Sequence, residues 1–340
     1  MSKPDQTKDP EINVPAAPPL LMPILAICVV AAFVAGLIYW QVQPEGPLNE
    51  ERQTESAELD EEAPAETEQE TAKSASPSDK ASLPIDPTIG LRMTPHQAIY
   101  DIEMTAASSN AQIINISGQM FFQWTPTCEA WTTEHKFNLI YEYADSPAMH
   151  ISSDFSTYEP FDGSEFNFSS RRSRDGEIYE ELRGRAEITD PETGSGVAFF
   201  TFPEDLSFDL PPGTIFPMRH TLDVTDALKN GGTFVNRTIF DGSDSDGPVN
   251  INAFIGREID LPDGLSEQEG VDTGLLPLPA RKVQMAFFPL INETAAADYE
   301  MIATLHTNGV ISAMEIDYGD FSVRQNLVAL EELERSETCN

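Results

Sequence analysis

The 340-residue chain holds three cysteines, Cys28, Cys128 and Cys339, and their surroundings decide what chemistry they can do. Cys128 lies in FFQWTPTCEAWTT, residues 121–133. A redox or nucleophilic thiol needs cationic neighbours that lower its pKa, whereas Cys128 stands between Thr127 and Glu129 with Trp124 and Trp131 close in sequence. That acidic, apolar setting favours a structural sulfur over a reactive one. The histidines, His96, His135, His150, His220 and His306, have no metal-ligand spacing, and lone cysteines do not make a zinc knuckle. No nucleophile elbow, His-Glu-x-x-His, Walker loop or dinucleotide fingerprint is present. The expectation is no catalytic residue, no cofactor and no metal, hence a protein that is not an enzyme.

Three other groupings could carry chemistry. DGSDSDGPVNI resembles a calcium loop, but aligned from Asp241 it puts Asp246 at the sixth position, where an EF-hand has Gly, and lacks Glu at the twelfth. We read it as an exposed acidic loop. Arg171, Arg172 and Arg174 could hold an anion, yet they fall beside a turn and read as a solvated hairpin tip. Glu300 and Asp317 should face each other across a hairpin, an unfavourable pair that exposure to water relieves. Asn-x-Ser/Thr sites at Asn115, Asn167, Asn236 and Asn292 would matter only in a eukaryotic secretory pathway, to which nothing else points.

These residues must be placed by larger elements. LLMPILAICVVAAFVAGLIYW, residues 20–40, carries no charge and matches the roughly 20 residues needed to cross a bilayer. It ends in Tyr39-Trp40, an interfacial pair. A signal peptide would have a shorter apolar core and a small-residue cleavage site, so we read an uncleaved transmembrane signal anchor behind a short tail, 1–19, on the cytoplasmic side. Ile27 is too bulky for LAIC to read as a lipoprotein processing site. Residues 41–90, rich in Glu, Pro, Ala and Ser, cannot bury a core and form a disordered acidic linker. Its reach as a coil is roughly 35 to 40 Å. Cys128 and Cys339 are then the two thiols outside the cytoplasm, and an even pair there commonly bridges; a redox thiol is the alternative.

From residue 91 to 340, short alternating runs separated by Gly, Pro, Asn and Asp signal antiparallel sheet. In YEMIATLHTNGVISAMEIDY, a two-residue Asn308-Gly309 turn sets Thr307 opposite Val310, Leu305 opposite Ser312, Ala303 opposite Met314, Met301 opposite Ile316 and Tyr299 opposite Tyr318. In SEFNFSSRRSRDGEIYEELRGRAEI, a two-residue Asp175-Gly176 turn would put Phe166 and Phe168 on the face opposite Ile178 and Leu182. A three-residue loop, 174–176, instead pairs Phe168 with Leu182 and Glu165 with Arg185. HTLDVTDALKNGG reads as a short helix with Thr221 as N-cap and Gly231 as stop. NLVALEELERSE spaces Leu327, Leu330 and Leu333 helically, with a final strand as the alternative.

The formal charge of −37 sets aside nucleic acid and anionic headgroups as partners. In order and spacing, the blocks HQAIYDI, SGQMFFQWTPTCEAW, STYEPFDGSEFNF, LRGRAEI, FDLPPGTIFPMRHT, TIFDGSD and NGVISAMEIDYGDF, with the terminal cysteine, resemble the cell envelope integrity EipB family of Gram-negative periplasmic proteins. The resemblance spans Thr94 to Cys339 and implies an all-β, curved, spiral-like sheet with one or two short helices. It also implies a disulfide between Cys128 and Cys339 and a non-enzymatic role in keeping the envelope intact; our own expectation is that the protein works by binding another envelope component, a periplasmic protein or a lipid. The alternative is a lipid or lipoprotein carrier or sensor with an apolar ligand in the curved sheet. Members of that family carry an ordinary export signal, whereas this chain reads as a single-pass inner-membrane protein with its bulk in the periplasm.

Overall fold

The structure, a computed structural model, describes residues 89–109, 111–262, 264–290 and 296–335. The expected tail and membrane span lie outside these residues, as does the linker up to residue 88. The last linker residues, Ile89 and Gly90, are buried and belong to the fold. Among the described residues no helix is long and apolar enough to cross a membrane.

Alternation of apolar and polar side chains dictates long strands. In order these are β1 His96–Ala107, β2 Ile113–Pro126, β3 Ala130–Tyr143, β4 Met149–Pro160, β5 Glu165–Arg174, β6 Glu177–Asp190, β7 Ser195–Phe202, β8 Ser207–Leu210 and β9 Thr214–Ile215. Helix α1, Pro217–Lys229, follows, then β10 Phe234–Ile239, β11 Val249–Ile259, β12 Ala280–Pro289, β13 Tyr299–Leu305, β14 Ile311–Asp317 and β15 Phe321–Glu332. In β3, Phe137, Leu139 and Tyr141 point inward while Lys136, Asn138 and Ile140 point to water, the period of two that a half-buried strand demands.

All fifteen strands form one sheet in the order β8-β7-β6-β5-β4-β3-β2-β1-β15-β14-β13-β12-β11-β10-β9. Every pairing is antiparallel except β9 with β10. The two edge strands, β8 and β9, are separated in sequence only by residues 211–213, so the sheet curls round until its edges meet: a nearly closed, barrel-like sheet with one α-helix. Inside it a large core joins β1–β4, α1 and β10–β15. A smaller, aromatic-rich core joins β5–β8 to Phe216 and Phe240.

The last segment is a strand, β15, which pairs with β1 from His96↔Glu332 to Ala107↔Phe321. Leu327 and Leu330 share its inward face, with Ala329 opposite Ile99 and Leu330 opposite Ala98. At the β13–β14 turn, Met301↔Ile316, Ala303↔Met314 and Glu300↔Asp317 pair as expected, and the rings of Tyr299 and Tyr318 approach to 5.8 Å. The turn itself has three residues. His306 N–H donates to Val310 O at 2.9 Å and Gly309, at φ +90°, closes the loop. A bulge at Ser312 then restores the register, so Leu305 faces Ile311 and not Ser312.

The β5–β6 hairpin departs in the opposite sense. Asp175 and Gly176 have φ of +51° and +86° and lie between paired Arg174 and Glu177, so the turn has two residues and not the three, 174–176, that the hydrophobic register predicts. A bulge at Tyr179, between Ser173↔Ile178 and Arg172↔Glu180, realigns the apolar face. Phe168 therefore faces Gly184, and Glu165 faces Glu187. Arg185 still reaches Glu165 diagonally at 3.9 Å.

Candidate functional site

The inner wall of β1–β4 is a continuous run of rings. Phe161, Trp131, Trp124, His96, Phe122, His135 and Phe155 follow one another with centroid separations of 5.0 to 5.9 Å. Against this wall lies α1, and between them remains an apolar cavity of about 30 Å³ bordered by Tyr100, Trp124, Met218, Val224 and Leu305. Burial lowers His96 to about 4 even though Thr94 O takes its Nδ1 at 2.8 Å. It also pushes the Tyr100 hydroxyl well up. The lining is neutral at physiological pH and suits hydrocarbon better than charge.

Helix α1 starts four residues before the expected N-cap at Thr221. Pro217 occupies the first turn, where its missing N–H costs nothing, and Phe216 at the N-cap offers no side-chain bond. The cap comes from β4: the Glu159 carboxylate accepts from Met218 N at 2.8 Å and Arg219 N at 3.0 Å. Glu159 is only 2 % exposed, and burial drives it up to about 8 against the pull of those two N–H groups and of Arg219. Arg92 pairs with Asp226 farther along the helix. A polar-edged cleft of about 360 Å³ opens beside Glu159, between Trp131, Phe161, Arg219 and Arg237.

The acidic loop between β10 and β11 is not exposed. Asp241, Ser243 and Asp244 are buried, and so is Arg172, 1 % exposed, which is therefore no solvated hairpin tip. Arg172 pairs with Glu180 and donates to Ser243 O at 2.5 Å. Its neighbours do stay near solvent: Arg171 meets Glu181, and Arg174 lies over the Tyr179 ring. Among the described residues no three His, Cys, Asp or Glu side chains are placed to hold a metal.

One buried pair mimics a catalytic dyad. His306 Nε2 lies 3.0 Å from Ser312 Oγ and Nδ1 lies 2.9 Å from Pro277 O, the arrangement of a base beside a nucleophile. Yet His306 and Ser312 are 0 % and 2 % exposed, so no substrate reaches them; the pair pins the β13–β14 turn. Glu300 and Asp317 face solvent as expected, with Glu300 accepting from Gln284 at 2.9 Å. Cys128 sits in the β2–β3 turn, where Thr127 Oγ1 accepts from Ala130 N at 3.0 Å. Cys339 lies outside the described residues.

A sheet curled almost into a barrel around its own helix, with a neutral aromatic interior, defines a β-barrel-like domain. The chain belongs to the EipB-like family, whose model matches residues 88–334. It is 30% identical over 244 residues to the cell envelope integrity protein EipB of Brucella abortus, covering 71% of this chain and 85% of that one. It also resembles the crystal structure of a β-barrel-like protein of a domain of unknown function from Brucella abortus. There the TM-score is 0.66 at 29% identity, over 72% of this chain and 99% of the other.

Proposed function

We propose that this protein supports the integrity of the bacterial cell envelope without enzymatic activity, by binding another envelope component from the periplasmic side of the inner membrane. The similarity to EipB along nearly the whole folded part carries this reading. The chain adds a front end of its own: an apolar 20–40 segment as anchor and an acidic linker as tether, which would hold the domain within roughly 40 Å of the membrane.

In the same reading Cys128 and Cys339 form a disulfide. Support comes from Cys128 being a bonded cysteine and from where the chain ends. Leu333 N donates to Pro95 O at 3.1 Å, and Arg335 donates to Gly90 O at 2.7 Å and Met93 O at 2.8 Å. Residue 335 thus lies at the end of the sheet where β2 runs into Cys128, with β1 between, about 10 Å across. Four further residues reach about 14 Å, enough for Cys339 to meet Cys128.

The apolar cavity under α1 favours a second reading, a carrier or sensor for a lipid or lipoprotein chain. At about 30 Å³ it holds little more than a water or two, so an acyl chain would have to displace the helix. Mass spectrometry of protein purified from its native membrane separates the two. A stoichiometric protein partner without lipid is expected; a stoichiometric lipid would favour the carrier.

A further inference from the structure

The loop at 240–248 joins two parts of the sheet that share no strand pairing. It belongs to the β10–β11 end but packs on the β5–β8 end. Phe240 meets the rings of Phe168 and Phe200 at 5.7 and 6.4 Å. The backbone at Gly242 is pressed so closely on Phe168 that a Cβ there would lie 2.3 Å from the ring, and at Gly247 a Cβ would lie 2.9 Å from Phe208. Polar bonds complete the seat: Asp241 Oδ1 accepts from Ser243 N at 2.9 Å, and Asp244 Oδ1 from Asp246 N at 2.7 Å. Arg172, reaching from β5, ties Ser243 O to Glu180.

We infer that this loop is a pH-sensitive clasp: one buried arginine holds it closed among several carboxylates, so it is tight in acid and loosens as the pH rises. The groups facing it are Arg172 and Arg174 on β5, Tyr179 and Glu180 on β6, Asp241, Asp244 and Asp246 in the loop, and Asp298 before β13. Arg174 stacks on the Tyr179 ring, and Arg172 donates to the loop at Ser243 O.

The direction follows from the carboxylates. Burial, with the nearby charge of Asp241, raises Asp244 well above the ordinary range. Burial, with Asp298 and Glu180, raises Asp246 to about 6. Burial raises Glu180 against the pull of Arg172, and raises Asp298 as well. An acid whose pKa is higher in the closed state favours closure while protonated, and that contribution disappears as the pH rises through the raised value. Opening bares the aromatic floor of Phe168, Phe200 and Phe208 beneath the loop.

Hydrogen exchange of the whole folded protein from pH 5.5 to pH 8, corrected for the intrinsic exchange rate, tests this. Protection of residues 240–248 should fall by about tenfold or more while β1 and β2 keep theirs. Asp244→Asn keeps the Oδ1 acceptor and removes the charge, so its loop should stay protected at pH 8. Asp246→Asn, at a half-exposed position, should weaken the fall and serves as the test if the Asp244 variant does not fold. Protection that is flat or rises with pH, a loss shared by every strand, or variants with the wild-type pH profile would overturn the proposal.

Discussion

At Gly309 a Cβ would lie 2.2 Å from Met93 Cε and 2.9 Å from the Trp124 ring, at a φ of +90°. Gly309→Val therefore combines a β-branched residue in the left-handed region with overpacking, and should cost about 3 kcal/mol or more. Gly176 also has positive φ, +86°, but a Cβ there meets nothing within 4 Å, so Gly176→Ala should cost only about 1 kcal/mol. Chemical denaturation of the two variants checks the ranking, and equal losses would mean that Gly309 is not packed as described. Residue types told less here than residue parity. Arg172 follows Phe166, Phe168 and Ser170 on one face of β5, and Glu159 follows Ile151, Ser153 and Phe155 on one face of β4. That alternation was present in the sequence and marks both charged groups as inward. Charge favours exposure as a general rule, so residue type alone predicts a solvated arginine cluster and gives no signal for Glu159.

Elements were legible wherever local rules act alone. The Asn308-Gly309 hairpin and its far register follow from turn chemistry plus alternation. The bulges at Ser312 and Tyr179 do not, because a bulge shifts register by one residue without any composition signal of its own. Helix α1 shows the same limit: its cap is a carboxylate from a strand about 60 residues earlier, and sequence-local capping rules pointed to Thr221 instead. Two substitutions separate these accounts. Glu159→Ala should destabilise by about 1 to 2 kcal/mol, since the N–H groups of Met218 and Arg219 then lose their acceptor. Thr221→Ala should cost at most about 0.5 kcal/mol, as Thr221 Oγ1 donates back to Pro217 O at 3.0 Å inside the helix and caps no helix N–H. Thermal denaturation that ranked Thr221 above Glu159 would contradict the tertiary cap.

For the whole molecule, buried acids and histidines set the pH response together. Glu159, raised from 4.5 to about 8, stabilises fully below pH 4.5, and this contribution disappears as pH rises through about 8. His96 and His220, each lowered from 6.5 to about 4, act the other way: their contribution is present above pH 6.5 and lost on acidification toward 4. Between pH 6.5 and 8 the acids alone remain, so unfolding free energy should fall over that interval, and fall less in Glu159→Gln. Calorimetry across the interval measures both slopes. Closing a loop of about 210 residues by a Cys128–Cys339 bridge should add up to roughly 5 kcal/mol, so Cys339→Ser should lower the melting temperature sharply. Two alkylatable thiols at these positions in periplasmic protein would contradict the bridge. The role in the envelope is tested most directly by deleting the gene in the native bacterium and measuring growth in bile-salt or dodecyl sulfate medium. The account predicts that the deletion sensitises the cells and that the full chain restores resistance. Wild-type growth of the deletion strain under those conditions would contradict it.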